Sequence, residues 1–262
     1  MEFENKICLV TGGAQGIGAA IVGTLASHGA DVAILDQEIE KARKLADSVQ
    51  KATGRRVLAL PGNVSKREDV EYAVQRILME FGRIHILINN AGIWRGGLIV
   101  EMDEDEWDAV FNVNVKGVFL CSQSVAKVMI GQGGGRILNI ASSAGKGGGT
   151  EGWGAYCASK AAVIMLTKVM ALELKPYGIW VNSLSPGATK TGLLREIVER
   201  EGGDYRHAAR PEDVAKVAAF LVSEEACNVT GMDFDGPPWG DIESIRRILK
   251  KEGEESKDDH GC

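Results

Sequence analysis

Tyr156 and Lys160 stand four residues apart in Tyr156-Cys157-Ala158-Ser159-Lys160. If the segment is helical, that spacing puts a phenol and an ammonium on one face, roughly 6 Å apart along the axis. A free phenol titrates near ~10, and bringing it to about 7 takes roughly 4 kcal/mol. One cation at ~4 Å supplies about that much at an effective dielectric of ~20. The pair therefore permits a tyrosine that exchanges protons near neutral pH, serving as general base or acid for a reacting oxygen. Two such residues are also common as plain packing on a helix surface, so their meaning depends on what the chain sets beside them.

A phosphate cradle is legible near the amino end. The apolar run Lys6 to Thr11 has strand composition and leads into Gly12-Gly13-Ala14-Gln15-Gly16-Ile17-Gly18, followed by a helical pattern through Ile21, Val22, Leu25 and Ala26. Strand, glycine turn and helix start together let a pyrophosphate approach bare backbone and meet free N–H groups and the helix dipole. A second strand, Val32 to Leu35, ends in Asp36, which lies 18 residues after Gly18. That is close to the ~20 at which an acid accepts hydrogen bonds from ribose hydroxyls. The carboxylate repels a 2′-phosphate, and neither Gln15 nor Gln37 is a cation, so NAD is favoured over NADP.

With these residues in view the sequence resembles the short-chain dehydrogenase/reductase family from Lys6 to about Gly236. Thr11-Gly12-Gly13-Ala14-Gln15-Gly16-Ile17-Gly18 matches its TGxxxGxG motif, and Asn89-Asn90-Ala91-Gly92 its NNAG. The family's helix asparagine falls on Asn114. Pro186-Gly187-Ala188-Thr189-Lys190-Thr191 is similar to its PG turn. Of the serines in Ile140-Ala141-Ser142-Ser143, Ser143 stands 13 residues before Tyr156, the interval kept in the family. It is the expected catalytic serine, ahead of Ser142.

The resemblance implies a division of labour. Tyr156 moves the hydroxyl proton, Lys160 lowers its pKa and holds the nicotinamide ribose, and Ser143 orients the substrate oxygen. Asn114 either holds a water on a proton path from Lys160 or satisfies a helix kink. Cofactor contacts are implied for Gly12, Gln15, Gly16, Ile17, Gly18, Asp36, Asn90, Ala91, Gly92, Pro186, Gly187, Thr189 and Thr191, besides Tyr156 and Lys160. Where many relatives meet the adenine amino group with an aspartate, this chain has Asn63 followed by Val64. An amide carbonyl still accepts that bond.

The bulk properties agree. The chain has 262 residues, 45% hydrophobic and 25% charged, with net charge −6 and pI about 5.4. Length and composition fit one α/β unit with a large core and give no basic surface for nucleic acid or anionic membrane. The polar start Met1 to Lys6 has no signal-peptide core, and no window is expected to reach the ~18 apolar residues of a membrane span, so a cytoplasmic protein is expected. Five cysteines, at 8, 121, 157, 227 and 262, lack CxxC spacing and read mostly as reduced, packed thiols. No metal site is expected.

Short apolar runs alternate with helix-length segments, predicting a Rossmann-type doubly wound parallel sheet of about seven strands with helices on both faces, in one domain. The catalytic unit is assigned to 1–240, with a substrate lid at about 187–210. One long helix is predicted from a cap at Asp103 past Asn114 toward Met129, and another carrying Tyr156 and Lys160 to Pro176. The resemblance implies that these two helices pair across subunits in a homotetramer, with a dimer as alternative. Residues 241–262 read as a charged extension: a helix with Ile242, Ile245, Ile248 and Leu249 at helical spacing, then a disordered polar end.

Trp94, Arg95, Lys146, Trp153, Leu193, Leu194 and Arg195 are the candidate substrate residues. The tryptophans suggest an apolar or ring-shaped substrate and the cations an anionic tail. The expected activity is NAD-dependent interconversion of a secondary alcohol and its ketone. The alternatives are a 3-oxoacyl thioester reductase, which Asp36 disfavours because such enzymes usually prefer NADPH, and a non-catalytic NAD-binding sensor or scaffold.

Overall fold

Side chains alternate faces along a strand, and here both faces are apolar, so each strand needs helices above and below it. The computed structural model describes residues 2–247 apart from 148, 203–205 and 228. Its strands are β1 Ile7–Thr11, β2 Asp31–Asp36, β3 Val57–Pro61, β4 Ile86–Asn89, β5 Gly135–Ile140, β6 Ile179–Ser185 and β7 Asp233–Asp235. They form one parallel seven-stranded sheet in the order β3-β2-β1-β4-β5-β6-β7. The helices are α1 Gly16–Ser27, α2 Ile39–Thr53, α3 Arg67–Phe81, α4 Glu104–Phe111, α5 Gly117–Gln132, α6 Gly154–Leu174, α7 Gly192–Glu201 and α8 Pro211–Leu221.

Cys8 and Val10 of β1 and Val32 and Ile34 of β2 turn to one face, where they meet Ile21, Val22 and Leu25 of α1, Ala42 and Ala46 of α2, and Val214 and Ala218 of α8. Leu9, Ala33 and Leu35 turn to the other and meet Val70 and Ile77 of α3, Val125 and Met129 of α5, and Met170 of α6. Each fully buried aliphatic side chain contributes about 1.5–3 kcal/mol. This is the expected doubly wound Rossmann-type domain. The chain runs outward from β1 to β3 and then crosses back to β4 beside β1, so the strand order reverses between β1 and β4. The crevice at the carboxyl ends of those strands is where such a sheet binds ligands.

Two helices depart from expectation. The first is not one continuous α-helix: α4 and α5 are joined by a π-helical turn, Asn112–Lys116, that contains Asn114. Asp103 occupies the N-cap position of α4, but its carboxylate makes no cap bond there. The second, Gly154–Tyr177 including a final tight turn, has the length of a membrane span and mean hydropathy 1.4, contrary to the expectation that no window would. It is a core helix, with Ser159, Val163, Thr167 and Ala171 packed inward.

Residues 242–247 are helical. Ile245 is buried in the core and Ile242 packs beside it, so the first turns of the extension are docked. Ile248, Leu249 and the polar end expected to be disordered lie outside the described residues, as does Cys262. Cys8 and Cys121 are buried, and burial pushes both thiols up, Cys121 to about 12. Cys227 is exposed rather than packed.

Candidate active site

The turn after β1 is built so that only glycine fits. Gly12 and Gly16 have φ of 61° and 57°, the left-handed region that favours glycine. At Gly18 a Cβ would lie 2.2 Å from Gly12 O and 2.6 Å from Asn90 Nδ2. The turn is clamped to the end of β4: Asn90 Nδ2 donates to Thr11 O at 3.1 Å and Gly12 O at 2.8 Å. Thr11 Oγ1 accepts from the N–H groups of Asn90 and Ala91. Asp36 closes the other side, accepting from Ala14 N and Glu38 N at 2.9 Å each. Gln15 caps α1 by position only, with no side-chain bond, which leaves first-turn N–H groups to an anion. The backbone cradle, the dipole of α1 and a carboxylate at the strand end fit a dinucleotide.

A cleft of about 720 Å³ runs from this cradle to Tyr156. Gly12, Gln15, Gly16, Ile17, Asp36, Val64, Asn90, Ala91 and Gly92 line it, as do Pro186, Gly187, Thr189 and Thr191. Gly18 supports the cradle from behind. Asn63 is turned elsewhere: its Oδ1 accepts from Ser65 N and Ser65 Oγ, and its neighbours Gly62 and Val64 face the cleft instead. Thr191 Oγ1 accepts from Leu194 N and so caps α7, which lies in the segment expected to be a lid. Lys41 is brought to the ribose end by α2, where it pairs with Glu38 and donates to Gln15 Oε1 at 3.4 Å.

Tyr156 and Lys160 sit one turn apart on α6, 9% and 5% exposed. Burial holds the Tyr156 phenol above its ordinary value, opposed by a hydrogen bond from Ser142. Lys160 Nζ donates to Ile140 O at 2.9 Å and lies 5.7 Å from the Tyr156 ring centroid. Its pKa falls to about 8, because burial disfavours the cation. From helical spacing alone the lysine charge is the main perturbation expected at the phenol. In the structure desolvation dominates both groups, and the hydroxyl that lowers the phenol is a serine.

That serine is Ser142; Ser143, which the interval count favours, lines the cleft beside it. Ser142 also accepts from Ala144 N at the start of the tight turn Ser143–Lys146. The backbone N–H of Ser143 is tied to Pro186 O at 3.0 Å.

Asn114 is 1% exposed and its amide is fully engaged. It donates to Ile93 O and Ser159 Oγ at 3.0 Å each and accepts from Ile93 N at 2.9 Å. Ser159 Oγ in turn donates to Tyr156 O at 2.7 Å. The side chain is a brace between the segment after β4 and α6.

The substrate end differs most from expectation. Trp153 lines it, with its ring centroid 5.9 Å from that of Tyr156 at 89°. Leu193, Leu194 and Ile197 of α7 also line it. Trp94 lies behind Trp153, edge-on at 6.0 Å and 1% exposed, so it supports the wall without forming it. The three cations leave the cleft. Arg95 pairs with Glu106 at 2.8 Å, Lys146 with Asp233 and Asp235 at 2.6 and 2.7 Å, and the exposed Arg195 lines a second cavity, beside Ala19 and Ala20 of α1 and Pro211 of α8. Each finds a carboxylate or water outside, where its charge is better solvated than in an apolar pocket.

The short chain dehydrogenase family profile matches residues 6–202. The chain is 39% identical over 244 residues to the 2,3-dihydro-2,3-dihydroxybenzoate dehydrogenase of Bacillus subtilis, covering 87% of this chain and 93% of that protein. It is 41% identical over 244 residues to a 3-oxoacyl-(acyl-carrier-protein) reductase of Thermotoga maritima, covering 88% and 96%. This chain belongs to the short-chain dehydrogenase family. Among solved structures, the 3-ketoacyl-(acyl-carrier-protein) reductase of Brucella melitensis complexed with NADH superposes with a TM-score of 0.82 at 34% identity, covering 89% of this chain and 97% of that one. As a short-chain dehydrogenase, the protein is an oxidoreductase of a family that uses nicotinamide cofactors.

Relative to other short-chain dehydrogenase motifs it carries, three site features escaped the sequence reading. Ser159 and Ile197 left no signal beyond ordinary helix positions. Trp239 lies beyond Gly236, where the family resemblance ends, yet it borders the cleft.

Proposed function

We propose that this protein interconverts a secondary alcohol and its ketone by hydride exchange with NAD(H). The observation that carries the reading is that the buried Tyr156 and Lys160, together with Ser142, line the same cleft as a glycine cradle closed by Asp36. A bound nicotinamide supplies or accepts the hydride. The chain's own part is to orient the substrate oxygen between Ser142 and Tyr156 and to move one proton at the Tyr156 oxygen. In the oxidative direction the phenolate takes the alcohol proton as the carbinol carbon gives up its hydride; in reduction both return. Ser142 takes the orienting role expected of Ser143, and its O–H stabilises charge developing on the substrate oxygen. Lys160 supplies positive charge near the phenolate, and its depressed pKa keeps it able to exchange a proton near neutrality.

Preference for NAD over NADP is supported by Asp36 and Glu38, both lining the ribose end, with Lys41 neutralised by Glu38. A 2′-phosphate there meets two carboxylates. The similarity to 3-oxoacyl reductases favours a second reading, reduction of an oxoacyl thioester, and the acidic ribose end argues against the phosphorylated cofactor that such a reaction usually uses. Exposed Phe119 on α5 and Met165, Val169 and Leu172 on α6 support a homo-oligomer, a tetramer by preference, built on those helices. A cytoplasmic setting suits its free thiols.

The test is Tyr156→Phe. Turnover of alcohols with NAD should fall by about 10²–10⁴-fold while NAD affinity stays within about threefold. A variant at near-normal rate removes the assignment, and an inactive wild type that still binds NAD leaves the sensor or scaffold reading.

A further inference from the structure

Trp239 is an exposed indole at the mouth of a catalytic cleft, and the chain holds it there firmly. It is 73% exposed and yet lines the cleft. Its ring rests against the Pro186-Gly187 turn so closely that a Cβ on Gly187 would lie 2.6 Å from Trp239 Nε1. The backbone around it is pinned: Gly187 N donates to Pro237 O, and the N–H groups of Trp239 and Gly240 both donate to Gly236 O at 3.0 Å. The turn leaves no room at Gly240, where a Cβ would meet Asp235 O at 2.0 Å. On either side the segment is anchored in the core by Phe234 and Ile245, each 2% exposed. The indole is therefore a fixed surface and not the end of a loose tail.

The same cleft is lined by Trp153, against Tyr156, and by Leu193 and Ile197 of α7. Charge is missing from this end. Among the described lining residues the cation is Lys160, whose Nζ is engaged by Ile140 O, and the acids Asp36 and Glu38 stand at the ribose end. A pocket with two indoles, aliphatic α7 residues and no available cation recognises a ring face and leaves an anionic tail unpaired.

We propose that Trp239 is a specificity-determining residue that, with Trp153, selects a neutral, ring-bearing ketone or the corresponding alcohol; for the reaction this rests on the alcohol–ketone reading above. The ring packs against the indoles, the carbonyl carbon accepts hydride from the reduced nicotinamide, and the carbonyl oxygen takes the Tyr156 proton.

The experiment uses the full chain and three probes: cyclohexanone, an acyclic ketone of equal carbon count, and a cyclohexanone bearing a carboxylate. One arm measures kcat/KM with NADH for the wild type, Trp239→Ala and Trp239→Phe. The other measures probe binding by calorimetry to NADH-saturated Tyr156→Phe protein, with and without Trp239→Ala. The wild type should favour cyclohexanone and discriminate against its carboxylate form. Trp239→Ala should cut the cyclic-to-acyclic preference, and weaken cyclohexanone binding, by about tenfold, with Trp239→Phe retaining most of both. Turnover with a preference indifferent to Trp239→Ala overturns the proposal and leaves the alcohol–ketone reading standing. Binding that depends on Trp239 without turnover does the reverse. Better use of the carboxylate form, or a change of oligomeric state in Trp239→Ala showing that a second copy covers the indole, also overturns it.

Discussion

Lys160 should weaken the fold at neutral pH, by an amount that its burial sets. The ammonium is 5% exposed, keeps Ile140 O as a partner at 2.9 Å, and has its pKa lowered from 10.5 to about 8 by desolvation. Because the folded pKa lies below the unfolded one, the unfolded chain binds more protons between those two values, and stability rises with pH across that window. The penalty is fully present below the folded pKa and is relieved as pH approaches the unfolded value. From about pH 7 to about pH 9.5 the relief amounts to about 2 kcal/mol. Lys160→Met removes the titrating group while keeping the stem's packing. It leaves the Ile140 carbonyl short of a donor at a cost of about 1–3 kcal/mol, which is independent of pH. Urea unfolding of both proteins at the two pH values gives the double difference, in which the titration of every other group cancels. The wild type should gain about 2 kcal/mol relative to the variant on going to the higher pH. Burial moves Tyr156 upward, away from this window. A difference constant within about 0.5 kcal/mol would refute the claim that Lys160 is held desolvated in the folded state.

Three other perturbations separate the structural claims. Ser142→Ala should lower kcat by about 10²–10³-fold and Ser143→Ala by less than about fivefold, because Ser142 is the hydroxyl that lowers the Tyr156 phenol; the reverse ranking restores the interval-based choice. Gly18→Ala forces a Cβ to 2.2 Å from Gly12 O, so thermal unfolding should show a loss of about 1–3 kcal/mol together with weakened NAD binding. An unchanged Tm would mean that the turn yields more easily than its contacts imply. Asp36→Asn removes one of two carboxylates at the ribose end, and the NAD-to-NADP ratio of kcat/KM should fall about tenfold, whereas an unmoved ratio assigns discrimination elsewhere.

The fold and the cofactor end were legible because their physics is local. A buried strand announces itself as a short apolar run, and a phosphate cradle requires glycines at fixed steps after it, as Gly12, Gly16 and Gly18 show. Asp36 could be placed because strand and helix lengths fix the distance from the turn to the end of β2. Tyr156 and Lys160 were placed by helical spacing alone.

Tertiary structure alone decided what those groups experience and which neighbours they meet. Spacing on α6 could not reveal that desolvation would outweigh the lysine's charge at Tyr156. Which of Ser142 and Ser143 acts on the phenol depends on the path of a loop whose length does not fix its direction. Arg95, Lys146 and Arg195 looked like pocket cations until partners remote in sequence, Glu106 for one and Asp233 for another, drew them out. Trp239 reached the cleft because β7 packs beside β6 and returns the chain across Gly187. Local pattern fixes backbone and periodicity, whereas a side chain's charge state and its company depend on contacts between distant segments.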